Sequence, residues 1–248
     1  MAPRWKGKDS EAKALAEPMS ETVLALQSSL TTSKCKGLIS GRRVLIEADT
    51  KQSELLNRAC FGRLVITSQK DRQWYELTLQ EAFYMCYTLK CLKIVGDDGV
   101  VKSNEELWNL MISEVDKFPK FFQAYSHLRK SNWVVRSGSQ YGVDYVVYRH
   151  HPALVHSEYA VIVLSERNSS SSERLKLWSD FYGTIRLCGG VAKTLLVLHV
   201  LGISNETDSP ICLENCRMEA HTISRWIPEQ TREKRSDAYF HSGTKPHS

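Results

Sequence analysis

Between Tyr148 and Tyr159 the chain reads YRHHPALVHSEY, which sets His150, His151 and His156 between two tyrosines, with Tyr145 just upstream. A histidine titrates near neutrality and is the side chain suited to take or return a proton at physiological pH. A tyrosine keeps its proton up to a pKa of about 10, so it acts as an acid only with help from its surroundings. A lysine supplies a fixed cation for negative charge developing on a phosphate. Such a trio suffices to cut RNA without a metal, because the nucleophile, the 2′-hydroxyl, is already in the substrate. The protein has only to align it, remove its proton and neutralise charge. Carboxylates are sparse in the segment, which disfavours a magnesium-dependent phosphotransferase. No P-loop, GxGxxG, GxSxG or HExxH is present. Histidines beside strands also serve as plain surface or packing residues. Tyr145 and Tyr148 have opposite strand parity, so one faces the core if the other does not, and periodicity does not choose between them.

The elements that must position these groups are legible in part. The chain has 248 residues, of which 42% are hydrophobic and 25% charged, typical of a soluble protein with one large or two small domains. A net charge of +5 permits a polyanionic partner without establishing one. No apolar run approaches the ~20 residues of a membrane span, and the first ten residues lack an apolar signal region, so neither secretion nor membrane insertion is expected. Seven cysteines without a CxxC pattern point to reduced thiols and no zinc site, with Cys86 and Cys91 as small core residues.

Residues 1–35 read as a flexible extension with one helix around Ser20–Ser29, and Arg43–Ala48 and Leu64–Ser68 as short strands. Thr78 with Glu81, and Ser103 with Glu106, are capping boxes that open helices. The first helix carries Leu79, Ala82, Phe83 and Cys86, and the second Leu107, Leu110 and Met111. Asp97-Asp98-Gly99 is a turn. A third helix follows Pro119, with Phe122, Tyr125 and Leu128 at helical spacing, and stops near Ser131. Trp133–Arg136, Val143–Arg149 and Tyr159–Leu164 then read as strands. A polar loop at 168–172, a helix at Trp178–Leu187, and strands at Lys193–Val200 and Ala220–Ile227 complete the pattern. The layout predicts a small N-terminal α/β domain at 36–117 and a C-terminal α/β domain at 118–228, with a twisted mixed sheet flanked by helices and a polar tail at 229–248.

The order of several blocks resembles one family. These are Tyr75-Glu-Leu-Thr-Leu-Gln-Glu-Ala-Phe, the stretch Phe121–Val135 ending SHLRKSNWVV, Tyr141-Gly-Val-Asp, Tyr148, His156 with Tyr159, Lys193, and Ser224-Arg-Trp. Together they resemble the catalytic subunits of tRNA-splicing endonucleases (tRNA-intron lyases), most closely the subunit that cuts at the 5′ splice site. The resemblance implies a metal-independent and cofactor-free endonuclease that leaves a 2′,3′-cyclic phosphate and a 5′-hydroxyl. It implies His156 as general base, Tyr148 as general acid and Lys193 as the stabilising cation, which leaves Tyr145 to packing. It also implies that Arg186 and Trp226 reach a partner subunit's site and sandwich a flipped base, a contact worth about 1–3 kcal/mol per stacked base. The partners it implies are intron-containing pre-tRNA and other endonuclease subunits in a heterotetramer, in the nucleus and without a membrane.

The sequence departs from the family in places. Arg149–Val155 keeps one proline and no glycine, His150 and His151 are additional, and Cys60-Phe61-Gly62-Arg63 retains part of a glycine-rich signature. His150 and His151 are expected to be solvated loop residues. Strand alternation would put Glu158 on the face of His156. The 3′-cutting paralogue and a non-catalytic structural or RNA-binding subunit are the alternatives.

Overall fold

The computed structural model describes residues 4–6, 18–65, 73–115, 117–165, 175, 177–190, 193–202 and 209–223. Helix α1 (Met19–Ser33) comes first, with Leu26 and Leu30 fully buried. It is longer than the sequence suggests and packs into the core rather than trailing as an extension. Its stripe of Met19, Thr22, Leu26 and Leu30 has helical spacing but is diluted by serines and threonines.

Five short strands form the first sheet: β1 (Lys36–Ser40), β2 (Arg43–Ala48), β3 (Arg63–Val65), β4 (Gln73–Thr78) and β5 (Lys93–Val95), in the order β3-β4-β2-β1-β5. All pair antiparallel except β1 with β5. Helix α2 (Thr50–Ala59) has no counterpart in the sequence reading. Asp49 and Gln52 cap it reciprocally, but its polar composition hides the stripe of Leu56 and Ala59. After it, Gly62 adopts φ +67°, and a Cβ there would lie 2.7 Å from Leu77 Cδ2, so only glycine fits the turn.

The capping boxes open α3 (Leu79–Phe83), which continues as a π-helical turn over Tyr84–Thr88, and α4 (Asn104–Glu114). Helix α5 (Phe118–Lys130) follows, entered through Lys117 at φ 62° with Pro119 in the first turn.

The second sheet contains β6 (Val134–Ser137), β7 (Tyr145–Tyr148), β8 (Tyr159–Ser165), β9 (Thr194–Leu201) and β10 (Arg217–Ile223), in the order β10-β9-β8-β7-β6. Only β8 and β9 run parallel, and α6 (Trp178–Gly190) lies between them in the chain. The expected loop at 168–172, the end of the last strand beyond Ile223 and the tail lie outside the described residues.

One buried cluster runs from Leu26 and Ile46 through Phe83, Trp108 and Phe122 to Val147, Val161 and Leu198. The two sheets therefore share a core. At its centre Phe83 meets Phe122 edge-on at 4.9 Å and Trp108 meets Phe118 at 5.6 Å, geometries favoured by ring quadrupoles. Buried Arg129 adds a tie: it donates to Ala59 O at 2.9 Å and lies 3.8 Å over the Phe61 ring. Cys91 is buried as expected, whereas Cys86 is half-buried.

Candidate active site

The register of three strands brings distant residues together. Val147 of β7 pairs with Tyr159 of β8, and Tyr159 pairs with Thr194 of β9. The ladder extends one step further, since Glu158 N–H donates to Val147 O and Thr194 N–H to Glu158 O, each at 3.0 Å. The C-terminal end of β7 and the N-terminal ends of β8 and β9 thus share one rim of the sheet. Tyr148 closes β7, Lys193 immediately precedes β9, and His156 lies three residues before β8.

The sheet's two faces part the tyrosines. Tyr145 sits with Val147 and Tyr159 on the face covered by the shared core, and its hydroxyl donates to Phe121 O at 3.1 Å. Burial drives its phenol far above the ordinary value. Tyr148 lies on the opposite face with Val146, Ala160, Leu195 and Tyr141. Its pKa is raised by burial first and by Tyr141 second, against a lowering hydrogen bond with the Ser157 side chain. The phenol therefore remains a proton donor through neutral pH.

Lys193 joins Tyr148 on that face. Its ammonium lies 4.2 Å from the centre of the Tyr141 ring, and its backbone N–H donates to Cys188 O at 2.9 Å, tying the start of β9 to the end of α6. The lysine charge also opposes the burial-driven rise of the Cys188 thiol pKa. His156 is exposed on the connecting loop, with its backbone N–H donating to Arg4 O at 2.9 Å.

Glu158 is buried whereas His156 is exposed, so the two do not share the surroundings that strand alternation would give them. The ladder begins at Glu158, and residues 156 and 157 precede it, so the two-residue repeat does not reach His156. The carboxylate is 9% exposed and accepts from Arg149 Nε at 3.3 Å. Arg149 in turn stacks 4.1 Å over Trp133, which packs edge-on against Tyr159. This layer supports the rim from the core side.

The additional histidines are half-buried rather than solvated. His150 Nδ1 accepts from His151 N–H at 2.8 Å, and His151 Nδ1 accepts from Ala153 N–H at 3.1 Å. Burial, then Arg136 and His150, hold the His151 pKa below its ordinary value. Both rings shape the loop by accepting backbone N–H groups at Nδ1.

Arg186 is exposed on α6, on the side opposite buried Cys188, while Trp226 lies outside the described residues. The sequence reading assigned no role to Ser157 or Arg149, and named Tyr141 only within a motif. The separation of Tyr141 from Lys193 in the chain leaves no local signal for their contact. A separate cleft of about 510 Å³ lies at the seam of the two sheets, lined by Arg43, Arg63, Arg136, Glu76, Tyr125 and Tyr145. Among the described residues no group of histidine, cysteine, aspartate and glutamate has the arrangement of a metal site.

Comparison with known proteins covers most of the chain. Residues 35–108 match the tRNA intron endonuclease N-terminal domain, and residues 118–209 the tRNA intron endonuclease catalytic C-terminal domain. The chain is 51% identical over 235 residues to the tRNA-splicing endonuclease subunit Sen2-1 of Arabidopsis thaliana, covering 94% of this chain and 98% of that one. Identity to the tRNA-splicing endonuclease subunit Sen2 of Mus musculus is 28% over 166 residues, 64% of this chain and 36% of the mouse protein. The tRNA-splicing endonuclease of Saccharolobus islandicus matches at 31% over 134 residues, 52% of this chain and 73% of the archaeal one.

Proposed function

Because the chain belongs to the tRNA intron endonuclease family, we propose that it cuts intron-containing pre-tRNA at the 5′ splice site as a catalytic subunit of a nuclear hetero-oligomer. The observation that supports this reading is that Tyr148 and Lys193 lie on one face of one sheet rim, each beside Tyr141, with the His156 loop entering β8 between their strands.

In the proposed reaction His156 takes the proton of the 2′-hydroxyl at the cleavage site. The 2′-oxygen attacks the adjacent phosphorus, the bond from phosphorus to the 5′-oxygen breaks, and Tyr148 gives its proton to that oxygen. The products are a 2′,3′-cyclic phosphate and a 5′-hydroxyl. Lys193 balances the added negative charge on the phosphoryl oxygens. The nucleophile comes from the RNA, so the chemistry calls for no bound metal.

Exposed Arg186, together with Trp226, would stack on a flipped base at a partner subunit's site. Pre-tRNA would be read through its folded shape and splayed nucleotides rather than a duplex sequence.

The test uses the complex purified with the native chain and with its His156→Ala form, each incubated with pre-tRNA in EDTA. Loss of the 5′ cut alone, with cyclic phosphate ends from the native complex, is the expected result. Loss of the 3′ cut alone would reassign the chain to the other splice site. Unchanged cutting by the mutant would make it a binding or structural subunit, and a strict magnesium requirement would overturn the mechanism.

A further inference from the structure

Three residues from the start of the chain lie against the loop that carries His156. Trp5 and Val155 form an isolated antiparallel bridge. On either side of it Lys6 N–H donates to Leu154 O at 2.7 Å, and His156 N–H donates to Arg4 O at 2.9 Å. The Arg4 guanidinium donates to Ser157 O at 2.8 Å, and the Lys6 ammonium to Pro152 O at 2.8 Å. Trp5 also faces His150, with ring centres 6.1 Å apart.

These contacts grip the loop along its length, from Pro152 to Ser157. Within the loop, Leu154 N–H and Val155 N–H both donate to His151 O, at 2.8 and 3.2 Å, which closes a turn but ends before His156. Val155 is buried, and past His156 the ladder resumes at Glu158. His156 thus lies on an exposed span between a turn and a strand, and its own backbone N–H is held by Arg4. A proton acceptor must sit within hydrogen-bond reach of its target, and a displacement of about 1 Å can slow a reaction about 100-fold.

We propose that Arg4–Lys6 is a positioning strap for the proposed general base, adding a short strand to the His156 loop and fixing the imidazole over the sheet rim. This rests on the reading of His156 as the base. Trp5 and Lys6 are positioning residues that touch no reacting atom, and Arg4 acts through the backbone at 156 and 157.

The test compares complexes containing the full native chain, Arg4→Ala/Lys6→Pro, His156→Ala, and the triple variant. Proline at 6 removes the N–H that bonds Leu154 O while permitting the extended backbone before it. Single-turnover cleavage at saturating complex should fall about 10- to 100-fold in the strap variant at the cut that His156→Ala slows most. The other cut should hold, pre-tRNA Kd should change by less than about two-fold, and the strap changes should add no loss to His156→Ala, as expected of residues acting through one group.

A strap variant with native rates beside a slowed His156→Ala form would overturn the strap alone. Native rates from His156→Ala would overturn the reading beneath it. A raised Kd with an unchanged saturating rate would make Arg4 and Lys6 RNA contacts, and equal slowing of both cuts would make the segment a general structural support; either result overturns the proposal. The single variants Arg4→Ala and Lys6→Pro, each expected to lose less than the pair, keep the test open if the double variant assembles poorly.

Discussion

Tyr145 and Tyr148 stand three residues apart on one strand and occupy unlike environments. The hydroxyl of Tyr145 is tied to Phe121 O in the shared core, whereas Tyr148 faces Tyr141 and shares that face with Lys193. Tyr148→Phe should therefore slow cleavage by about 10²- to 10⁴-fold, the range for one proton-transfer group, with RNA binding retained. Tyr145→Phe should leave the rate alone and cost about 1 kcal/mol of stability in a urea melt, through the lost hydrogen bond. The pH dependence follows from the direction of the Tyr148 shift. A pKa raised above its ordinary value of about 10 keeps the phenol protonated through neutral and mildly alkaline solution, so its ionisation should not depress the rate below about pH 10. A single-turnover profile with a descending limb near pH 8 would assign the acid role to another group.

At the scale of the element, two capping boxes of identical type differ in what surrounds them. Glu106 bonds the Ser103 N–H in the open. Glu81 is 5% exposed and accepts from Thr78 N–H, the Thr78 hydroxyl and Gly62 N–H, with Arg136 3.7 Å away. Glu106→Ala should cost little, because its carboxylate stands in open solvent and the Ser103 N–H it leaves can bond water. Glu81→Ala strands several partly buried donors and a guanidinium and should cost about 3 kcal/mol. Urea unfolding of both variants measures the difference, and equal costs would show that the buried network contributes nothing beyond the cap.

For the whole molecule the decisive feature is the common core. Phe83, Trp108, Phe118 and Phe122 come from α3, α4 and α5 and lie in one cluster with residues of both sheets. Phe122→Ala should destabilise the protein by about 3–5 kcal/mol, as removal of a buried aromatic does. Both halves should then unfold together at lower denaturant, followed by tryptophan fluorescence and circular dichroism. Two separate transitions would show that each half holds its own core.

Local signals were legible in the sequence where they are written within a few residues. The capping boxes at Thr78 and Ser103 and the strand Arg43–Ala48 stand where the residues indicate, and the helix expected after Pro119 begins one residue before it, at Phe118. Helices α1 and α2 were understated because serine, threonine and charged residues thin their apolar stripes, and packing rather than propensity makes them helical. At the candidate site the sequence by itself determined the residue types and, through family resemblance, which tyrosine to favour over its neighbour. Only the tertiary structure decided which groups share a face, because pairing between β7, β8 and β9 joins segments far apart in the chain. It also turned Glu158 toward Arg149, made His150 and His151 part of the loop's own bonding, and laid Arg4–Lys6 along it. Side-chain alternation is a property of a strand, and where the strand ends only contacts with the rest of the molecule set the direction of a residue.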